Sequence, residues 1–150
     1  MPQSLSQLIV HLVFSTKNRA PLISDAIREE LHAYLIGVLR ERDCPSIMIG
    51  SVEDHIHIFF VLSKNMPLSK IVGELKAVSS KWIKSKGPSF HAFQWQNGYG
   101  AFSTSKSSVE VVRRYIANQK QHHRKTSFQD ELRKFLEKHE LEYDERYWWD

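Results

Sequence analysis

The stretch from residue 47 to residue 62 constrains this chain's fold more than any other. Two apolar, β-branched runs, at 47–52 and 55–62, are separated only by Glu53 and Asp54. A connection that short joins strands as an antiparallel hairpin. Residues 8–14 (LIVHLVF) are a third apolar run and read as a strand. Ile27, Leu31, Tyr34, Leu35, Val38 and Leu39 recur at helical spacing. Ser24 or Asp25 can cap that helix, which ends near Arg42, ahead of Pro45. Pro67 opens a second helix with the stripe Leu68, Ile71, Val72, Leu75, Val78 and Trp82, and Gly87-Pro88 stops it. The aromatic stretch 93–104 (FQWQNGYGAFST) supplies a fourth strand.

The order βαββαβ predicts an α+β fold. It is a ferredoxin-like sandwich, of the kind RNA-recognition domains share, with an antiparallel sheet carrying two helices on one face. Two additional C-terminal helices are expected. Ser107 and Glu110 carry a capping-box signature for a helix over 107–121 that could cover the other sheet face. Thr126 or Ser127 could cap a last helix through Phe128, Leu132, Phe135, Leu136 and His139. The expected organisation is one domain over 1–150. Residues 1–105 form the sheet core, 106–126 a helix carrying Tyr115, and 127–150 a final helix with an acidic, aromatic tail.

Composition narrows the function. Cys44 is the only cysteine, which excludes an intramolecular disulfide and a cysteine-rich zinc site. No apolar run approaches the roughly 18 residues a membrane span needs, and residues 1–10 lack a secretory pattern. A cytoplasmic protein is expected. Residues 1–126 carry a net charge of +8 and the last 24 residues −4. A basic body of that kind suits a polyanionic partner.

Residues two apart on a strand share a side, so His55 and His57 project together while Ile56, Ile58, Phe60 and Leu62 face the opposite layer. Two imidazoles at that spacing can hold a divalent cation. Tyr115 and Gln119 lie four apart on a helix, sharing a face about 6 Å apart along the axis. Taken singly, each has a plainer reading: partly exposed strand histidines, a half-buried packing tyrosine, a solvated glutamine. Together, with the helix over the histidine face, they would bring an amide oxygen and a phenol to one cation. Such a set suits phosphodiester chemistry, in which a cation neutralises phosphate charge and a tyrosine attacks.

At this point the chain resembles a known family. His55-Ile56-His57 is similar to the His-hydrophobic-His motif of the HUH endonucleases. Tyr115-Ile116-Ala117-Asn118-Gln119 resembles the Tyr-x-x-x-Gln helix of single-tyrosine insertion-sequence transposases. The likeness extends to Val13-Phe14-Ser15-Thr16-Lys17, Asp54, the run 98–103 (GYGAFS), the run 121–125 (QHHRK) and the tail at 143–147. It implies His55, His57 and Gln119 as ligands of Mg²⁺ or Mn²⁺ and Tyr115 as nucleophile. It also implies single-stranded DNA with hairpin ends as substrate, a 5′-phosphotyrosine intermediate with a free 3′-OH, and DNA transposition as the outcome. Homodimers are implied too, with active sites that can be completed in trans. A second tyrosine on this helix is absent.

Lys17, Arg19, Arg113, Arg114, Lys120, Arg124 and Lys125 are the candidate DNA contacts, with Lys106 beside them. The lysines at 70, 76, 81, 84 and 86 could track a DNA stem or simply dress an exposed helix. Trp95, Tyr99 and Phe102 could stack on bases, although core packing is expected for at least two. His11 reads as a satisfied sheet histidine and His122 and His123 as helix-end residues rather than ligands. Trp148 and Trp149 suggest docking. Two alternatives stand beside a transposase: a host-recruited relative that processes repeated palindromes, and a non-catalytic ferredoxin-like nucleic-acid-binding module.

Overall fold

The computed structural model describes residues 3–119 and 127–139. Strand β1 (Leu8–Ser15) leads through a turn at Lys17–Arg19 to helix α1 (Asp25–Glu41). Strands β2 (Ser46–Ser51) and β3 (His55–Leu62) then form the hairpin, and helix α2 (Leu68–Lys84) follows. Strand β4 (Gly100–Ser103), helix α3 (Val109–Ala117) and helix α4 (Phe128–Lys138) complete the described elements. The sheet is antiparallel with the order β2-β3-β1-β4. That is the expected α+β, ferredoxin-like arrangement.

Alternation along the two central strands splits the apolar residues between two layers. Val10, Leu12, Phe14, Ile56, Ile58 and Phe60 face α1 and α2, where Leu31, Leu35, Ile71 and Leu75 are fully buried against them. Ile9, Val13 and Phe59 face the other way and meet Ile116 of α3 and Leu132 and Leu136 of α4. Truncating a core side chain as large as Phe60 would cost about 3–5 kcal/mol.

The fourth strand does come from the 93–104 stretch, at Gly100–Ser103. Phe93 and Trp95 instead turn into the core, where Trp95 Nε1 donates to Ser79 Oγ at 2.9 Å. Lys76 Nζ holds the following turn by donating to the carbonyls of Gln96, Asn97 and Gly98 at 2.8, 3.1 and 2.7 Å. That role removes Lys76 from the set of free stem contacts. Two local expectations need correction. The capping box at Ser107 does not form: α3 begins after Ser108, and Glu110 pairs with Arg113. Helix α3 also stops sooner than expected, with Asn118 as its C-cap. At α4, Ser127 caps as expected, accepting from the Asp130 amide at 3.2 Å.

Candidate active site

Register brings the site together. His57 pairs with Val13 on β1 and with Gly50 on β2, so it sits at the middle of the sheet. Both His55 and His57 are fully buried on the face covered by α3 and α4. Each ring is held from behind through Nδ1. Asp54 Oδ1 lies 2.7 Å from His55 Nδ1, and His11 Nε2 lies 2.8 Å from His57 Nδ1. Asp54 is itself positioned by the end of β1, because its carbonyl accepts from the Thr16 amide at 2.8 Å.

The two Nε2 atoms face one carboxylate. His57 Nε2 is 3.1 Å from Glu131 Oε1, and His55 Nε2 is 3.7 Å from Glu131 Oε2. Glu131 is 3% exposed, and the Tyr115 hydroxyl donates to its Oε1. The Tyr115 ring also stands edge-on to His57, with centroids 5.9 Å apart. Gly50 permits this approach. A Cβ there would overlap the Ile116 carbonyl oxygen and come 2.8 Å from Ile116 Cγ2, so only glycine lets α3 lie this close to β2.

Burial dominates the electrostatics. It pushes Glu131 up to about 7, a rise that the His55 charge opposes, Asp54 reinforces and Lys134 opposes. Burial likewise holds His11 well below the ordinary imidazole value, helped by His57 and His139. The donor set fits a divalent cation: His55, His57 and Glu131 each offer one ligand atom, all within 4.8 Å of one another. Two imidazoles and a carboxylate are a mixed nitrogen and oxygen set, which suits Mn²⁺ as well as Mg²⁺.

Glu131 lies outside the motifs that the sequence offers, though a local signal marks it. It falls within the apolar stripe of α4, beside Leu132 and one turn before Phe135. A charged residue in a buried stripe points to a partner or a ligand. Gln119, expected as a ligand, is buried; its Nε2 donates to the Tyr115 carbonyl at 3.3 Å. Its Oε1 accepts no hydrogen bond among the described residues.

Lys17 and Arg19 are exposed on the turn after β1. On α3, Arg113 pairs with Glu110, at 3.0 Å through Nε, and Arg114 is 66% exposed. Lys120, Arg124 and Lys125 lie outside the described residues, as do His122, His123, Trp148 and Trp149. Trp95 and Phe102 are buried as expected, leaving Tyr99 partly exposed. A cleft of about 260 Å³ opens beside Tyr115, between Val111 of α3 and Lys134, Phe135 and Lys138 of α4.

Residues 4–119 match the family described as IS200-like transposases, and the chain belongs to that family. A candidate transposase from Deinococcus radiodurans R1 is similar in structure, with a TM-score of 0.62 at 20% identity, covering 79% of this chain and 98% of that one. A REP-associated tyrosine transposase bound to a REP hairpin superposes with a TM-score of 0.60 at 15% identity, covering 82% of this chain and 72% of that one. At such identities the likeness is one of fold. Among curated protein sequences, none matches. No helix among the described residues is long and apolar enough to cross a membrane.

Proposed function

We propose that the chain cleaves and rejoins single-stranded DNA, with Tyr115 as the nucleophile beside a divalent cation. The observation that carries this reading is the convergence of the Tyr115 hydroxyl and both histidine Nε2 atoms on Glu131. His55, His57 and Glu131 would hold the cation, and the buried Oε1 of Gln119 is a candidate further oxygen donor. The cation would polarise the scissile phosphate and stabilise its leaving oxygen.

Tyrosine, with an ordinary pKa near ~10, is a weak nucleophile until its proton has somewhere to go. Glu131 Oε1 already accepts that proton's hydrogen bond. As Tyr115 Oη attacks phosphorus, the phenolic proton passes to Glu131 and the bond to the 3′ oxygen breaks. The 3′ oxygen takes up a proton from water, leaving a free 3′-OH and a 5′-phosphotyrosine. Attack by a 3′-OH on that link reverses the chemistry and rejoins DNA without a nucleotide cofactor. Tyr115, His55, His57 and Glu131 meet within one chain, and assembly in trans would exchange α3 and α4 between protomers.

Hairpin DNA is the proposed partner, supported by the hairpin-bound REP-associated neighbour. A host-recruited palindrome processor would use the same chemistry on repeated sequences. Incubation with Mn²⁺ and a single-stranded hairpin should yield a protein–DNA adduct that survives denaturing electrophoresis and is abolished by a chelator. Binding without any adduct, across hairpins from the gene's own flanks, would favour a non-catalytic module.

A further inference from the structure

His11 was expected to be no more than a satisfied sheet histidine. Its surroundings are more specific than that. On β1 it lies opposite Phe59, two residues from the Val13–His57 pair, which makes it a diagonal neighbour of His57 on the same sheet face. Both rings are buried, with His11 2% exposed, and their centroids are 5.0 Å apart. Phe59, Phe102, Tyr115 and Phe135 surround His11 edge-on at 6.2, 6.3, 6.5 and 5.0 Å, so the ring has no room to swing.

The two metal-facing histidines are thus backed differently. His55 has a carboxylate behind it, which can only accept a proton from Nδ1. His57 has a second imidazole, which can donate or accept. A ligand Nε2 needs its lone pair, so a neutral His57 must carry its proton on Nδ1. The hydrogen bond at 2.8 Å must then run from His57 Nδ1–H to His11 Nε2.

We propose that His11 is a positioning residue for the cation site, its Nε2 accepting from His57 Nδ1 and holding His57 in the tautomer and orientation that present Nε2 to the metal. This rests on the cation reading of His55, His57 and Glu131. His11 itself touches neither cation nor substrate; it acts through His57. For that role its own proton must sit on Nδ1, the minor tautomer of imidazole in water. Outer partners of this kind typically govern metal affinity by about 10–100-fold.

Two measurements test this on the full chain. Long-range ¹H–¹⁵N spectra of the Mg²⁺-saturated protein should show His11 protonated at Nδ1 and bare at Nε2. A proton on His11 Nε2 would overturn the proposal, because that nitrogen could not accept from His57. Calorimetric titration with Mn²⁺ should show His11→Phe binding about 10–100-fold more weakly than wild type. His11→Gln, whose amide oxygen can accept in place of Nε2, should recover most of that loss. Equal affinity in a folded His11→Phe, or no recovery in a folded His11→Gln, would count against His11. Should wild type bind neither ion, it is the cation reading that fails.

Discussion

Glu131 Oε1 stands 3.1 Å from His57 Nε2 and accepts the Tyr115 hydroxyl, so one carboxylate oxygen joins the histidine strand to the tyrosine helix. This contact ties α4 to α3 and β3 at the point where the chemistry is proposed to occur. The burial of Glu131 there also makes the metal-free protein sensitive to pH.

The sign follows from the raised value of Glu131. Its carboxyl moves from the usual 4.5 to about 7 on folding, chiefly by burial. The folded state therefore favours the protonated form. The associated stability is fully present below the unfolded value and is lost as pH rises towards 7, amounting to at most about 3 kcal/mol. Urea denaturation of chelated protein should show stability falling between pH 5 and 7. Glu131→Gln should flatten that slope; an unchanged slope would mean that another group carries it.

Removing either imidazole should abolish the cation site without unfolding the sheet. His55→Ala and His57→Ala are each expected to weaken Mn²⁺ binding by more than the roughly 10–100-fold typical of losing an outer partner. Calorimetry alongside circular dichroism checks this. Wild-type affinity in either folded variant would take that histidine out of the ligand set.

Gly50→Ala tests how α3 is seated. The added methyl meets the Ile116 backbone, which cannot yield as a flexible side chain would. A loss of about 1–3 kcal/mol is expected, together with weaker adduct formation as Tyr115 shifts from Glu131. Gly37→Ala, on α1 with nothing within 4 Å of the new Cβ, should instead be neutral or stabilising. Equal behaviour of the two variants would contradict the seating of α3 on Gly50.

Lys17 and Arg114 are exposed and close in sequence to the site's elements, so both are proposed to contact phosphates. Lys17→Ala and Arg114→Ala should each reduce the slope of log affinity against log salt by about 0.7 for single-stranded DNA. Fluorescence anisotropy over a range of salt concentrations measures it. An unchanged slope removes that residue from the interface.

The sheet and its helices were readable because alternation and helical spacing each report a buried face. The hairpin at Glu53-Asp54, the α1 and α2 stripes, and the split of β3 into two faces all follow from local pattern. Register does not. Nothing in the sequence places His11 diagonal to His57, since that depends on how β1 slides along β3. Glu131 was hidden for a related reason. It sits 74 residues beyond His57 along the chain and reaches the histidines only once α4 packs on the sheet. The short β4 reflects tertiary override: Phe93 and Trp95 gain more from the core than from extending a strand.

Tyr115 is proposed to form the covalent link to DNA. Wild-type protein incubated with Mn²⁺ and a cleavable single-stranded hairpin should give an adduct whose digestion yields the α3 peptide with phosphate on Tyr115. Tyr115→Phe, which keeps the ring and its packing, should bind the hairpin yet form no adduct. An adduct of undiminished yield in Tyr115→Phe, or a phosphorylated peptide from elsewhere in the chain, would contradict it.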